Sequence, residues 1–393
     1  MRKITLGTLS ISKQGKNYVN DCLDKNRLSS GPYTARFEKE FAKTHQSKHA
    51  IFMNSGTSAL QVALAALKEV YGYQDGDEVI VPATTFIATS NIVIQNNLKP
   101  VFVDVEPHTF NISPRRIWEA ITPRTRCIIP VHLFGLPADM EEIMEIAVLK
   151  GLQVIEDSCE TMFANQNGRS VGSYGDFACF SNYVAHLVVG GVGGLVTTHD
   201  DKLAGICRSL MAHGRDSIYT NIDQDDTSDE KLLKEMIERR YSFERVGYSY
   251  RATELEAAIA LSELEIAPER IHIRRVNAHF LTELLKGLPL QTPYIPFSMD
   301  HSFMMYPIVL PPWVDREKLL MHLEKNGIET RYLFPLLTQP IYQKLFPGEA
   351  EKFPVAQKLA KQGFFIGMHH GLNKDDMVYI SKVLHDYFQE LGS

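Results

Sequence analysis

Glu78-Val-Ile-Val-Pro82, Pro100-Val-Phe-Val-Asp104, Cys127-Ile-Ile-Pro-Val131, Gln153-Val-Ile-Glu-Asp157 and the run from Phe177 to Asn182 are short, apolar and rich in β-branched residues. Between them lie stretches of helical period, Ala88 to Asn96, Arg115 to Ile121 and Asp139 to Lys150. Strands joined by crossover helices of this length predict an α/β fold with a mostly parallel sheet covered on both faces. Ligands of such sheets gather beyond the carboxyl ends of the strands. The polar residues just past each strand are therefore the first candidates: Thr84, Thr85, His132, Asp157, Glu160, Ser181 and His186.

Downstream, Asp216 to Arg240 turns to Asp, Glu, Lys and Ser around Asp223-Gln-Asp-Asp226, which reads as a charged surface excursion. A long helix then runs from Thr253 to about Leu285, with Pro268 expected as an interruption. A strand near Tyr306 to Leu310 and helices over Asp315 to Asn326 and Asp375 to Leu391 follow. The expected organisation is a large α/β domain over 1–250, then a connecting helix and a smaller C-terminal α+β domain over 251–393. The length of 393 residues allows two or three domains.

Composition excludes several classes. Forty-one Lys+Arg against 47 Asp+Glu leave a net charge of -6, too mildly acidic to coat a nucleic acid. The Met1-Arg-Lys start leads into no signal peptide, and Val184 to Val196 falls short of a bilayer span, so a membrane partner is not expected. Five Cys without a CxxC pair argue against disulfides or zinc and for reduced thiols in the cytoplasm. His132, His213 and the pair His369-His370 lack metal-ligand spacing, so no metal site is expected.

Three stretches could carry chemistry. Asn54-Ser-Gly-Thr-Ser-Ala-Leu60 precedes a helix expected over Gln61 to Val70. Its letters fit helix capping by Ser55 or Thr57, or a phosphate on free amide groups at the positive end of the helix dipole. Asp157 ends an apolar strand. It is either a solvated strand end or a buried carboxylate in need of a cation, such as a protonated cofactor ring nitrogen. Gly190-Gly-Val-Gly-Gly194 lacks the GxGxxG spacing and precedes a strand, so it predicts a close backbone approach and not a dinucleotide site.

Together with Pro82-Ala-Thr-Thr-Phe-Ile-Ala-Thr89, Pro130-Val-His-Leu-Phe-Gly135, Gly175-Asp-Phe-Ala-Cys-Phe-Ser181 and Gly247-Tyr-Ser-Tyr-Arg-Ala-Thr-Glu-Leu-Glu-Ala-Ala258, these motifs stand in the order of the DegT/DnrJ/EryC1/StrS family, which the chain resembles over nearly its whole length. The resemblance implies the aspartate-aminotransferase fold (fold type I) and a pyridoxal 5'-phosphate or pyridoxamine 5'-phosphate enzyme acting on a nucleotide-linked keto sugar. It implies that Gly56, Thr57 and Ser181 hold the cofactor phosphate, that Phe86 stacks on the pyridine ring, and that Asp157 pairs with the ring nitrogen. Glu160 falls where many members carry a Gln near the ring hydroxyl. Ser249, where a phosphate-contacting Asn is usual, and Arg251 would approach from the second subunit of a homodimer with shared sites. Arg331 is a candidate substrate contact or a surface salt bridge.

The departure lies at His186, where family aminotransferases carry the lysine that holds the cofactor covalently. Val192 also replaces a usual Glu. An imidazole forms no Schiff base, yet it titrates near neutrality and serves as a general base. The same replacement marks a branch of sugar 3-dehydratases acting on 4-keto-6-deoxyhexoses, where the His takes a proton from the pyridoxamine methylene and the C3 hydroxyl leaves. The five Cys do not match the iron–sulfur version of that chemistry, so the type that regenerates its cofactor from glutamate is closer. Two alternatives remain open: a sugar aminotransferase using glutamate, and a catalytically silent homologue used for sensing or assembly.

Overall fold

The computed structural model describes residues 3–216, 229–239 and 241–392. Its helices are α1 (Lys13–Asp24), α2 (Pro32–Thr44), α3 (Gly56–Tyr71), α4 (Ile87–Gln95), α5 (Pro114–Ala120), α6 (Met140–Lys150), α7 (Asp201–Met211), α8 (Glu230–Arg239), α9 (Glu254–Leu284), α10 (Arg316–Lys325), α11 (Pro340–Leu345), α12 (Pro354–Gln362) and α13 (Lys374–Gly392). The strands are β1 (His49–Met53), β2 (Glu78–Pro82), β3 (Lys99–Val103), β4 (Thr125–Ile128), β5 (Gln153–Asp157), the two-residue β6 (Asn165–Gln166) and β7 (Arg169–Ser170), β8 (Phe177–Ser181), β9 (Gly194–Thr198), β10 (Met305–Val309), β11 (Thr330–Tyr332) and β12 (Gly363–Gly367).

Seven strands form the main sheet in the order β1-β9-β8-β5-β4-β2-β3. Neighbours from β3 to β8 run parallel, and β9 runs antiparallel to both β8 and β1. The strands of the parallel part read as continuous apolar runs because helices cover both faces, leaving no side chain a route to water. Ile80, Ile128 and Val154 face one layer with Ile143 of α6, while Val79, Val81, Cys127 and Ile155 face the other with Leu60 and Leu64 of α3. A separate sheet, β10-β12-β11, is antiparallel and backed by α10 and α13 through Leu319, Leu323, Ile380 and Leu384. Ile4 bridges to Ile328 beside this second sheet, so the start of the chain packs with its end.

Several expectations are corrected. The small-residue stretch before Gln61 is itself the first turn of α3: Ser55 caps it, its hydroxyl accepting from Ser58 N at 3.0 Å, and Gly56 is the first helical residue. The strand expected to reach Val131 ends at Ile128, because Pro130 has no N–H for a ladder. Pro268 does not interrupt α9. Proline forfeits one bond to the carbonyl four residues back, but Leu261, Leu264, Ala267 and Ile271 are buried on either side of it and hold the helix through that point. Asp223-Gln-Asp-Asp226 lies outside the described residues.

The glycine run works as a close approach. A Cβ on Gly194 would stand 2.4 Å from Gly56 N and from Ser55 C, closer than side-chain atoms come to backbone. Glycine there lets the start of β9 lie against the first turn of α3, which fixes that helix end at the rim of the sheet.

Candidate active site

A cavity of about 420 Å³ opens where Asp157 and Ser181, at the carboxyl ends of β5 and β8, meet the first turn of α3 and the loop before α4. Met304, Met305, Arg331, Phe334 and Phe365 close it from the side of the second sheet. It brings together Gly56, Thr57, Phe86, Asp157, Glu160, Ser181, His186 and Arg331. Ser249 is not among them; it pairs with Ala212 away from this cavity, and Arg251 lines a different hollow with Arg27 and Arg208.

The first turn of α3 presents Gly56 and Thr57 to the cavity with their amides unclaimed by the helix. A Cβ on Gly56 would stand 2.8 Å from Cys159 Sγ and 2.9 Å from Ser181 Cβ, so only glycine lets the turn sit this close to β8. The arrangement suits a phosphate group, with the dipole of a 16-residue helix behind it. Phe86, the residue before α4, exposes 57% of its surface into the same space, an unusual state for so large a ring.

Asp157 is buried, and its two oxygens accept from Thr89 Oγ1 at 2.8 Å and Cys159 N at 3.2 Å. Among the described residues no Lys or Arg forms an ion pair with it. Burial pushes its carboxyl above the usual carboxylate range, against the opposing pull of those bonds. A cationic ligand in the cavity would reverse that balance, which is the requirement a pyridinium nitrogen meets.

Glu160 is in the same condition. Phe134 N donates to its Oε2 at 3.0 Å, and burial, with Asp157 adding to it, pushes the carboxyl up to about 8. His186 lines the cavity with its Nδ1 3.3 Å from the carbonyl of Ser181. A carbonyl only accepts, so a proton on Nδ1 suits this contact, and the backbone of Cys159 bonds the ring as well. Burial lowers the imidazole to about 4, holding it unprotonated at neutral pH.

Two first candidates prove to be elsewhere. His132 is fully buried and outside the cavity: Ala138 N donates to its Nδ1 at 2.9 Å, so Nε2–H donates to Glu156 at 3.1 Å. Thr84 is buried without reaching the cavity. Residues that sequence reasoning missed include Cys159, Leu6 and the apolar wall of Met304, Met305, Phe334 and Phe365. Phe134 and Phe334 hold positive φ of 58° and 28° and stack at 5.4 Å, a conformation costly for bulky residues. Nothing local in the sequence marks this wall, because it is assembled from segments far from the sheet.

The model of the DegT/DnrJ/EryC1/StrS aminotransferase family matches residues 9–385. The chain belongs to this family. A GDP-perosamine synthase of Caulobacter vibrioides is 35% identical over 381 residues, 95% of each chain. A UDP-N-acetyl-3-dehydro-alpha-D-glucosamine 3-aminotransferase of Acidithiobacillus ferrooxidans is 35% identical over 368 residues, 93% of this chain and 91% of the relative. The solved structure of E. coli GDP-4-keto-6-deoxy-D-mannose-3-dehydratase with bound hydrated PLP matches with a TM-score of 0.88 at 28% identity, over 98% of this chain and 100% of that one. The fold is thus that of the pyridoxal-phosphate aminotransferases, α/β with a smaller C-terminal part. The family member described here is a pyridoxal- or pyridoxamine-phosphate enzyme of the aminotransferase and 3-dehydratase kind. No helix among the described residues is long and apolar enough to cross a membrane.

Proposed function

We propose that the enzyme removes the C3 hydroxyl of a nucleotide-linked 4-keto-6-deoxy sugar, with His186 as general base. The observation that carries this reading is the cavity's inventory. His186 lines it, and among the described residues no lysine does, so none of them places an amine to hold the cofactor covalently.

In this reading Gly56, Thr57 and Ser181 hold the cofactor phosphate, Phe86 covers one face of the ring, and Asp157 meets its protonated nitrogen. Glu160 lies near the ring hydroxyl. Bound there, the cofactor supplies an amine and an electron sink. His186 takes up a proton at Nε2, while the Ser181 carbonyl fixes the ring's orientation through Nδ1. The apolar wall keeps water from the reacting atoms. Arg331, which also bonds Glu329 at 2.7 Å, offers a charged contact to the substrate's anionic part. Ser249 and Arg251 serve the site of a second copy in a homodimer, and glutamate restores the amine between turnovers.

Incubation with GDP-4-keto-6-deoxymannose, pyridoxal phosphate and glutamate tests the reading. A 3-deoxy sugar with release of ammonia is expected; a 4-amino sugar without ammonia overturns it. A His186→Lys variant should capture the cofactor in a form that borohydride fixes, and the parent should not. The second reading, amino transfer from glutamate, is supported by the 35% identity to the GDP-perosamine synthase.

A further inference from the structure

The wall that closes the cavity from the second sheet is built of Leu6, Met304, Met305, Phe334 and Phe365. Its backbone groups are already engaged inside the protein. Met304 N donates to Phe134 O at 2.9 Å, Phe334 N to Tyr332 O at 3.0 Å and Leu6 N to Glu329 Oε2 at 3.2 Å. The Met304 carbonyl accepts from Arg274 Nη1 at 3.0 Å and that of Phe334 from Leu336 N at 2.8 Å, while Met305 and Phe365 belong to the paired strands β10 and β12. A hydroxyl pressed against this face loses its water and finds, among these side chains, no donor and at best a weakly accepting thioether.

Phe334 holds the wall together under strain. Its ring stacks on Phe134 at 5.4 Å, tilts against Phe365 at 5.7 Å and stands edge-on to Phe86 at 6.4 Å, so it joins the wall to the residue assigned to the cofactor ring. Its φ of 28°, with 58° at Phe134, is one that a bulky side chain adopts only where its surroundings impose it. Strain kept at a ring that faces the cavity is a sign that the ring's position matters.

The chemistry of a sugar says which part of it fits such a face. A hexose carries an oxygen on every carbon, and only deoxygenation leaves an apolar one. In a 6-deoxy sugar that carbon is the C6 methyl. Asp157, Glu160, Ser181 and His186 line the cavity from the main-sheet side, and Arg331, the register partner of Phe365, is the charged residue beside the apolar wall. We propose that Phe334, with Met304, Met305 and Phe365 around it, is the specificity-determining residue that receives the C6 methyl and rejects sugars that keep the C6 hydroxyl. This deepens the reading above and rests on its nucleotide-linked sugar, not on whether the C3 hydroxyl leaves.

The test is binding to the full-length enzyme loaded with pyridoxamine phosphate, read by calorimetry with sugars that carry no ketone and so do not react. GDP-6-deoxymannose is compared with GDP-mannose, and 6-deoxyglucose with glucose on UDP and on dTDP. An apolar pocket rejects an added hydroxyl by about a hundredfold at most, so the 6-deoxy member of whichever pair binds should bind roughly 30- to 100-fold more tightly. Phe334→Gly removes the ring and suits the positive φ. It should let water reach C6 and bring that ratio below about fivefold. Phe334→Leu keeps the face apolar and should keep the ratio. Met305→Gln, which supplies an amide, should raise the affinity of the 6-hydroxy sugar, and it carries the comparison if Phe334→Gly does not fold. The proposal is overturned if the parent binds both members alike, or if no pair binds at millimolar concentration. It is overturned equally if Phe334→Gly weakens both members together and leaves the ratio unmoved, as loss of packing alone would. A 6-deoxy preference in a parent that makes a 4-amino sugar removes the C3 elimination and leaves this selection standing; a 3-deoxy product without the preference removes only the selection.

Discussion

Glu156 and Asp157 are neighbours on β5, both buried carboxyls, and they face opposite sides of the sheet. Glu156 is saturated: it accepts from Gly172 N, Tyr174 N, Gly175 N and His132 Nε2, at 2.7 to 3.1 Å. Burial alone would push its carboxyl up, but His132 and those amides outweigh burial and hold it below the usual range. Asp157, with two donors and no Lys or Arg paired to it among the described residues, is pushed up. A buried charge whose partners are all supplied by the chain belongs to the scaffold, while one left short of partners is prepared for a ligand.

The sharpest way to break this contrast is to truncate the saturated member. Glu156→Ala orphans three amides and a histidine in the core, and should cost about 3–5 kcal/mol of stability in denaturant unfolding. A loss within 0.5 kcal/mol would mean the network is ornamental.

Asp157→Asn should behave oppositely. The cofactor-free protein should be at least as stable as the parent, since a desolvated charge is relieved, while pyridoxal phosphate should bind roughly a hundredfold more weakly. Equal cofactor affinity by fluorescence titration would remove Asp157 from the ring nitrogen.

Glu160 extends the comparison to pH. Its folded carboxyl titrates near 8 and an unfolded one near 4.5. Between those values the folded state keeps a proton that the unfolded chain has lost, so stability falls as pH rises through that window, by up to roughly 1.4 kcal/mol per unit. Unfolding of cofactor-free Glu160→Gln at pH 5, 6.5 and 8 should show that slope flattened; an unchanged slope would mean the carboxyl is ionised throughout.

The smallest effect belongs to Phe86. The ring is largely exposed in the cavity, so Phe86→Ala should leave the melting temperature unchanged and weaken the cofactor by about three- to tenfold, the worth of one ring stack. Destabilisation instead would place Phe86 with the core.

Much of the site was legible in order along the chain. Asp157, Ser181, Gly56, Thr57, Phe86, Glu160, His186 and Arg331 sit in recognisable motifs and converge on one cavity. His132 looked equally eligible, because it too follows a strand and carries a titratable ring. Its exclusion depends on Ala138 and Glu156 claiming both of its nitrogens. The unbroken α9 was illegible for a similar reason: what carries the helix past Pro268 is packing from other elements, which propensity does not register.

By itself the sequence determined the alternation of strands and helices and the family. Those are properties of residue type and spacing. Only the tertiary structure decided which of two adjacent buried acids is complete and which is open. The donors that settle it come from residues 16 to 19 positions downstream and from a histidine 24 positions upstream, and a charge buried at low dielectric is governed by what surrounds it in space.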